Sequence, residues 1–208
     1  MRGRLQALVV IMAGAGSLLF CWISAAALAL VILRKGVGSG AWLFMWALLP
    51  AGTLLYAYGD SGPMTLLVGT MVLALVLRST VSLSLAVLAG VGVGVLTGLA
   101  LMAFSAEYLN QMVAFFSEFL GALEEQLSKE GQPIVLPRPE AGQIAGMLGA
   151  VTATISVLCL LLARYWQAAL YNPGGFGDEF KALQYSTAVS STLAVAAIAL
   201  WGLGEQYR

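Results

Sequence analysis

The segment RYWQAALYNPGGFGDEF, residues 164–180, carries more of the groups used in recognition chemistry than any other part of this chain. It combines a guanidinium, five aromatic rings, an Asn-Pro-Gly-Gly break and two carboxylates within seventeen residues. Such a set suits a ligand-binding site or a surface that docks a partner protein. It also suits the place where a helix leaves a membrane.

The end of a membrane helix explains most of the spacing in this segment. Arginine snorkels and aromatic rings collect at the membrane interface, where the apolar run before the segment ends. Proline then stops the helix, and the two glycines supply left-handed geometry. Asp178 is predicted to cap the next helix, with Glu179 near its positive end.

The clustering of aromatic rings around one turn is not explained by a helix end. We therefore keep the turn as a candidate partner-docking site, which consists of Arg164, Tyr165, Trp166, Asn172, Pro173, Gly174, Gly175 and Phe176.

Several kinds of chemistry are excluded by residues that the chain lacks. It has no histidine, so haem ligation by histidine, histidine-based zinc sites and His-dependent nucleophilic triads are excluded. Cys21 and Cys159 lie in apolar runs and match no metal or redox spacing. We predict no catalytic, cofactor-binding or metal-binding residue, no cofactor and no enzymatic activity.

The composition is that of a membrane protein. Hydrophobic residues make up 60% of the chain and charged residues 10%, against about 45–50% and about 25% in soluble domains. The formal net charge is zero, which gives no reason to expect a nucleic-acid partner.

The apolar runs predict an all-α, polytopic membrane protein with about six to seven transmembrane helices in one domain. The AGAGS interruption at residues 13–17 divides the first run in two, Pro50 predicts a kink, and a tight turn is expected at residues 78–80. The predicted spans are 5–15, 18–34, 41–58, 64–78, 80–104, 144–170 and 182–203.

The distribution of basic residues predicts the orientation. With seven spans and a cytoplasmic N-terminus, seven cations lie inside and three outside, whereas a single span over residues 5–33 would give five on each side. We therefore expect a multi-pass protein of the bacterial inner membrane with its N-terminus in the cytoplasm. The cations placed inside are Arg2, Arg4, Arg34, Lys35, Arg78, Arg164 and Lys181; those outside are Lys129, Arg138 and Arg208.

The polar external segment contains a predicted amphipathic helix at residues 106–128. Its acidic residues fall opposite a stripe of apolar ones, as in a helix that lies on the outer leaflet. A lid over an external pocket has the same pattern. The apolar stripe consists of Tyr108, Met112, Phe116, Phe119, Leu123 and Leu127.

Small residues recur at four-residue spacing in the fifth span. This spacing places them on one helix face, where a neighbouring backbone can approach closely in lipid. We predict a helix-packing seam formed by Ser82, Ala86, Gly90, Gly94 and Gly98, and a weaker one formed by Gly142, Gly146 and Gly149.

No charged residue lies in the middle of a predicted span, which argues against an autonomous proton-driven transporter. A ligand would have to be held by neutral groups. The candidates are Trp22, Trp42, Trp46, Thr53, Tyr56, Gln143, Thr152 and Thr154.

Three segments resemble the YybS-like family of bacterial membrane proteins: GRLQA at residues 3–7, ILRKG at 32–36 and, most specifically, the segment 164–180. That family is distantly similar to the S components of energy-coupling-factor vitamin transporters and to a rod-shape-determining membrane protein. The resemblance implies a subunit that binds small vitamins from outside and draws energy from separate ATPase subunits. Family members continue through further apolar segments, so the resemblance also implies that this chain is a shortened member.

Two functions remain open. In the first, an S-component-like protein binds a small solute under the helix at residues 106–128 and meets partner subunits through the cytoplasmic turn. In the second, a non-transporting scaffold or envelope-assembly factor holds other membrane proteins through its glycine seams and that turn. Membrane lipids surround the protein in both.

Overall fold

The computed structural model describes residues 4–17, 20–129 and 135–206, and these residues form helices and connecting turns without a strand. Arg2, Gly3, Arg208 and the predicted start of the second span at residue 18 lie outside this part of the chain. The helices are α1 (Arg4–Ala15), α2 (Cys21–Lys35), α3 (Val37–Tyr58), α4 (Gly62–Thr80), α5 (Leu83–Phe104), α6 (Ala106–Lys129), α7 (Ala141–Tyr171), α8 (Gly175–Lys181) and α9 (Thr187–Gln206).

Four of these helices, α3, α4, α5 and α7, are long and apolar enough to cross a membrane. They contain 22, 19, 22 and 31 residues. At about 1.5 Å per residue, these lengths match or exceed the roughly 30 Å of hydrocarbon in a bilayer. The helices are therefore those of a membrane-embedded protein, but the predicted count of six to seven spans is not confirmed.

The first apolar run forms two short antiparallel helices instead of one long one. α1 has 12 residues and α2 has 15, which correspond to about 18 and 22 Å, so both are shorter than the bilayer core. They approach closely at their connection: a Cβ on Gly14 would stand 2.9 Å from the Ser24 Cβ. The Ser24 hydroxyl donates a hydrogen bond to the Ile11 carbonyl at 2.6 Å.

α2 forms the centre of the bundle and packs against α1, α3, α4 and α7. Its middle is alanine-rich, and residues 24–29 are all buried. Small side chains there allow four neighbouring helices to approach one axis. α3 runs uninterrupted through Pro50 and packs beside α2.

Charged side chains divide between the two ends of the bundle. Arg78 donates from Nη1 to the carbonyls of Ile32 and Leu33 at 2.8 and 2.9 Å, and the Arg34 guanidinium lies over the Tyr171 ring. The ends of α2, α4 and α7 therefore meet. We call this end, which carries Arg34, Lys35, Arg78, Arg164 and Lys181, the basic end. The acidic end carries Asp60, Glu107, Glu118, Glu124, Glu125 and Glu140, together with Lys129 and Arg138.

The turn between α4 and α5 lies further along the chain than predicted. α4 continues through residues 78–80, and the chain reverses at Val81, whose φ of 54° is left-handed. Val81 N–H donates to the Leu77 carbonyl at 2.9 Å, which closes α4. Ser82 then caps α5 by accepting a hydrogen bond from the Leu85 N–H.

The segment after α7 differs from the prediction in two respects. Asp178 does not cap a helix: Gly174 occupies that position with a φ of 93°, and Asp178 lies inside the short helix α8. The last apolar helix, predicted at 182–203, begins at Thr187. Its start is marked by Ser186, whose hydroxyl accepts from the Val189 N–H at 3.4 Å.

α6 packs at the acidic end across α5 and α7. Leu109 is buried against Leu101, Ile144 and Ala145, and Phe116 packs at the edge of this cluster. Phe119, from the predicted apolar stripe, is exposed.

Candidate functional site

The predicted seam on α5 lies against α7. A Cβ on Gly94 would stand 3.1 Å from both the Ala153 Cβ and the Gly149 carbonyl oxygen, and a Cβ on Gly98 would stand 3.2 Å from the Ala145 oxygen. A Cβ on Gly149 would stand 2.4 Å from the Gly94 oxygen. The two backbones are therefore in direct contact at this point, and only glycine fits there.

The other residues of the two predicted seams differ in how closely they pack, and one has another role. Ala86 and Gly90 are buried, and a Cβ on Gly90 would meet Val157. Ser82 is the N-cap of α5 and precedes the helix. On α7, a Cβ on Gly146 would have no neighbour within 4 Å, so only Gly149 of the predicted second seam is tightly packed.

A cavity of about 230 Å³ lies beneath the start of α6 at the acidic end. Four helices contribute polar groups to its wall, namely Cys21 from α2, Thr65 from α4, Tyr108 from α6 and Thr152 from α7. Asp60, in the turn before α4, adds a carboxylate. The cavity is smaller than the roughly 300–1,000 Å³ of drug-sized ligand sites, so its size suits a small polar molecule.

The negative charge of Asp60 acts on the Tyr108 phenol, another group in the wall of this cavity. Asp60 Oδ1 accepts a hydrogen bond from the Gly62 N–H at 2.8 Å, and no cation pairs with Asp60 in the described chain. Burial raises the pKa of the Tyr108 phenol above its usual 10.0, and the negative charge of Asp60 raises it further. Tyr108 is therefore a neutral hydroxyl at physiological pH, able to donate to a ligand, while Asp60 offers a negative charge.

Two buried hydroxyls lie one helical turn deeper than the cavity wall. Thr70 follows Leu66 on α4 and Ser156 follows Thr152 on α7, each by four residues. Both oxygens are fully buried, and Ser156 has no hydrogen-bond partner among the described residues, whereas Thr70 lies next to the Cys159 thiol. Leaving a buried polar atom such as the Ser156 hydroxyl unsatisfied costs about 1–3 kcal/mol of stability.

Among the neutral groups proposed from the sequence as ligand contacts, Thr152 lines this cavity. The other candidates do not line it. Gln143 accepts from the Glu140 N–H in a capping box, and Thr53 and Thr154 bond to backbone carbonyls of their own helices. Trp42 and Trp46 pack edge to face with centroids 6.0 Å apart, Tyr56 is exposed, and the backbone carbonyl of Trp22 accepts a hydrogen bond from Cys159.

At the basic end, the candidate docking turn folds back on α7 through an ion pair. Arg164 Nε donates to Glu179 Oε2 at 2.8 Å, Nη2 donates to Glu179 Oε1, and Nη1 donates to Gln167 at 2.9 Å. The pairing joins residues fifteen positions apart and fixes α8 against α7. Sequence reasoning assigned Glu179 to a helix dipole and missed this contact.

Some of the aromatic rings of the turn pack against other residues of this chain. Tyr165 and Phe176 pack edge to face at 5.9 Å, and Phe176 lies 5.8 Å from Phe180. Trp166 packs against the core. Tyr165 and Phe180 still expose more than half of their surface, so one side of this stack faces away from the bundle.

The Asn-Pro-Gly-Gly break makes this reversal possible. Asn172 ends α7, Pro173 follows it, and Gly174 adopts the left-handed conformation that starts α8. A Cβ on Gly175 would stand 2.3 Å from Asn172 Nδ2, so a larger residue there would displace the Asn172 side chain.

A second cavity of about 520 Å³ lies beside this turn at the basic end. Its polar wall contains Arg78, Arg164, Glu179 and the hydroxyls of Ser82 and Ser84. Sequence reasoning placed Arg78 in a turn and Ser82 in a packing seam. It missed this cavity because the groups come together only when α4, α5, α7 and α8 are assembled.

No protein-family model matches the chain, and no curated protein and no solved structure matches it either. The class of the protein therefore rests on its own helices: it is a helical membrane protein with a polar cavity at each end of the bundle.

Proposed function

We propose that this protein is a solute-binding membrane subunit that holds a small polar molecule in the cavity beneath α6. The supporting observation is the convergence of Asp60, Tyr108 and Thr152, from three separate parts of the chain, on one small cavity. The amphipathic helix α6 contributes Tyr108 to the cavity wall, as a lid helix would. The unpaired Asp60 carboxylate favours a solute that carries an amine or another positive group.

The charges at the two ends of the bundle support a proposed orientation. Five of the described cations lie at the end where α2, α4 and α7 terminate, and Lys129 and Arg138 lie at the other. Positively charged residues concentrate on the cytoplasmic side of membrane proteins. We therefore infer that the basic end faces the cytoplasm of a bacterial cell, that α6 and the solute cavity face outward, and that the N-terminus is cytoplasmic.

The energy for any transport would come from partner subunits. In the four long apolar helices, charged residues occur only near helix ends, as Arg78 and Arg164 do. A proton relay requires ionisable groups at the depth of the membrane. The resemblance to S components implies the same division of labour, with the turn at residues 164–176 as the surface that meets the partner.

The test is native mass spectrometry of the full chain, purified in detergent and released gently. A discrete small-molecule adduct supports solute binding. Protein that carries only lipid after purification from cells grown in rich medium contradicts it.

A scaffold function is the second candidate, and the exposed side of the aromatic turn favours it. Leu170, Tyr171 and Phe180 each expose more than half of their surface. The described side chains of α9 are also almost all exposed, which leaves a long apolar helix available to another membrane protein.

The scaffold function is tested by co-purification of envelope proteins. An Arg164→Ala, Phe176→Ala double variant removes the turn's ion pair and its central ring. A Leu170→Gln variant changes exposed surface only and leaves those contacts in place. Loss of the same partner from both variants, with α8 still protected from proteolysis in Leu170→Gln, supports docking at the turn; retention in both contradicts it.

A further inference from the structure

The cavity at the basic end contains more positive than negative charge. Two arginines, Arg78 and Arg164, line it together with one acidic residue, Glu179. Arg78 forms no ion pair with any carboxylate in the described chain. One positive charge in the wall is therefore uncompensated.

Arg78 is held in place and still has free donors. Its Nη1 donates to the carbonyls of Ile32 and Leu33 at the end of α2, where the helix dipole favours a cation. A guanidinium has five N–H donors, and these two bonds occupy both hydrogens of Nη1. The donors on Nε and Nη2 have no partner in the described chain, and a fixed guanidinium loses little entropy when it binds.

Arg164 and two serines complete the polar wall. Glu179 and Gln167 occupy three of the five Arg164 donors, which leaves two. Ser82 accepts the capping bond from the Leu85 N–H, so its own hydrogen is free to be donated. Ser84 adds a second hydroxyl in the first turn of α5.

The remaining wall is apolar and the cavity lies where helices reach the membrane interface. Leu33, Leu77 and Leu83 line it next to the charged groups. Its volume of about 520 Å³ falls within the usual range for a ligand site. A wall with guanidiniums at one side and leucines at the other suits a molecule with an anionic head and an apolar remainder.

We propose that this cavity binds a phosphate group, with the Arg78 guanidinium as its main ligand and Arg164, Ser82 and Ser84 as further donors. Arginine is suited to phosphate because its planar fork donates two parallel hydrogen bonds to phosphate oxygens. The phosphate comes from the headgroup of an anionic phospholipid or from a soluble phosphate. This proposal is independent of solute binding beneath α6, which involves the opposite end of the bundle.

The test measures retention of phosphatidylglycerol by the full chain in native mass spectrometry, with diacylglycerol of the same acyl chains as the probe that lacks phosphate. Wild-type protein is expected to retain phosphatidylglycerol at least tenfold better than diacylglycerol. Arg78→Gln should reduce phosphatidylglycerol retention at least tenfold. Arg138→Gln, which removes a cation at the acidic end, should leave it unchanged.

A second variant guards against a folding defect in Arg78→Gln. Ser84→Glu places a negative charge in the wall without disturbing the Arg78 bonds to α2, and it should also reduce retention. Unchanged phosphatidylglycerol retention in both Arg78→Gln and Ser84→Glu, or equal retention of diacylglycerol by the wild type, overturns the proposal.

Inorganic phosphate distinguishes the two sources. Displacement of the lipid from the wild type by millimolar phosphate, but not by chloride at the same ionic strength, identifies a site for soluble phosphate. Lipid that phosphate does not displace, but that both variants lose, identifies a site for the phospholipid headgroup.

Discussion

The contact between α5 and α7 predicts that Gly149→Ala destabilises the bundle. The new Cβ would stand 2.4 Å from the Gly94 carbonyl oxygen, whereas ordinary contact begins at 3.4 Å, so the two backbones must separate by about 1 Å. A gap of 0.5–1 Å forfeits roughly a quarter to a half of each dispersion contact. Overpacking of this kind costs about 1–3 kcal/mol.

The matched control is Gly146→Ala, three residues away on the same helix, where the new Cβ meets nothing within 4 Å. Both variants gain the same helix propensity from alanine, so the difference between them isolates the contact. Thermal unfolding in detergent, followed by tryptophan fluorescence, should place the Gly149→Ala midpoint roughly 2–12 °C below that of Gly146→Ala, at about 2–4 °C per kcal/mol. Equal midpoints would refute direct backbone contact between α5 and α7.

Four further predictions concern individual residues. Val81→Gly should raise stability by about 1 kcal/mol because glycine relieves the left-handed strain at a φ of 54°. Val81→Ala keeps a Cβ and should gain less. Equal unfolding midpoints for Val81→Gly and Val81→Ala would count against the strain. Ser82→Ala should lower stability by about 1 kcal/mol through loss of the α5 cap, while Ser84→Ala should not. A larger loss of stability in Ser84→Ala than in Ser82→Ala would contradict the assignment of Ser82 as the cap. The Tyr108 phenol should titrate above pH 10 in the difference spectrum between wild type and Tyr108→Phe, and Asp60→Asn should lower its pKa. Because the folded protein holds this proton more tightly than the unfolded chain, Tyr108 should make the free energy of unfolding fall as the pH rises above 10. A higher Tyr108 pKa in Asp60→Asn than in the wild type would contradict the effect of the Asp60 charge on Tyr108. Glu124→Ala should speed hydrogen exchange at the Leu136 amide, which donates to Glu124 Oε1 at 2.7 Å, whereas Glu125→Ala should not; exchange that is equally slow in both would show that the bond does not hold this segment.

Helix positions could be inferred from the sequence because long apolar runs and amphipathic spacing are local features. The observed ends of α5, α6 and α7 all lie within three residues of the predicted ones. The turn before α5 was misplaced because it depends on a left-handed valine, a conformation that β-branched residues rarely adopt and that no residue pattern indicates.

The candidate sites were harder to infer because they depend on contacts between distant residues. Asp60 reads as part of a polar turn, and only the packing of α6 brings Tyr108 to the same cavity. Glu179 reads as a residue at the start of a helix, and only the reversal at Gly174 brings it to Arg164. The composition of the aromatic turn shows that it is unusual, but it does not show that its rings pack against one another.

The most direct test of solute binding beneath α6 is the occupancy of a co-purified small molecule in native mass spectrometry, compared between two variants of α7. Thr152→Phe fills the cavity, and Thr154→Phe places the same ring on the exposed side of the helix. Solute binding beneath α6 predicts an adduct on the wild type and on Thr154→Phe that is lost from Thr152→Phe. An adduct that persists on Thr152→Phe, or no adduct on any of the three proteins, would contradict it.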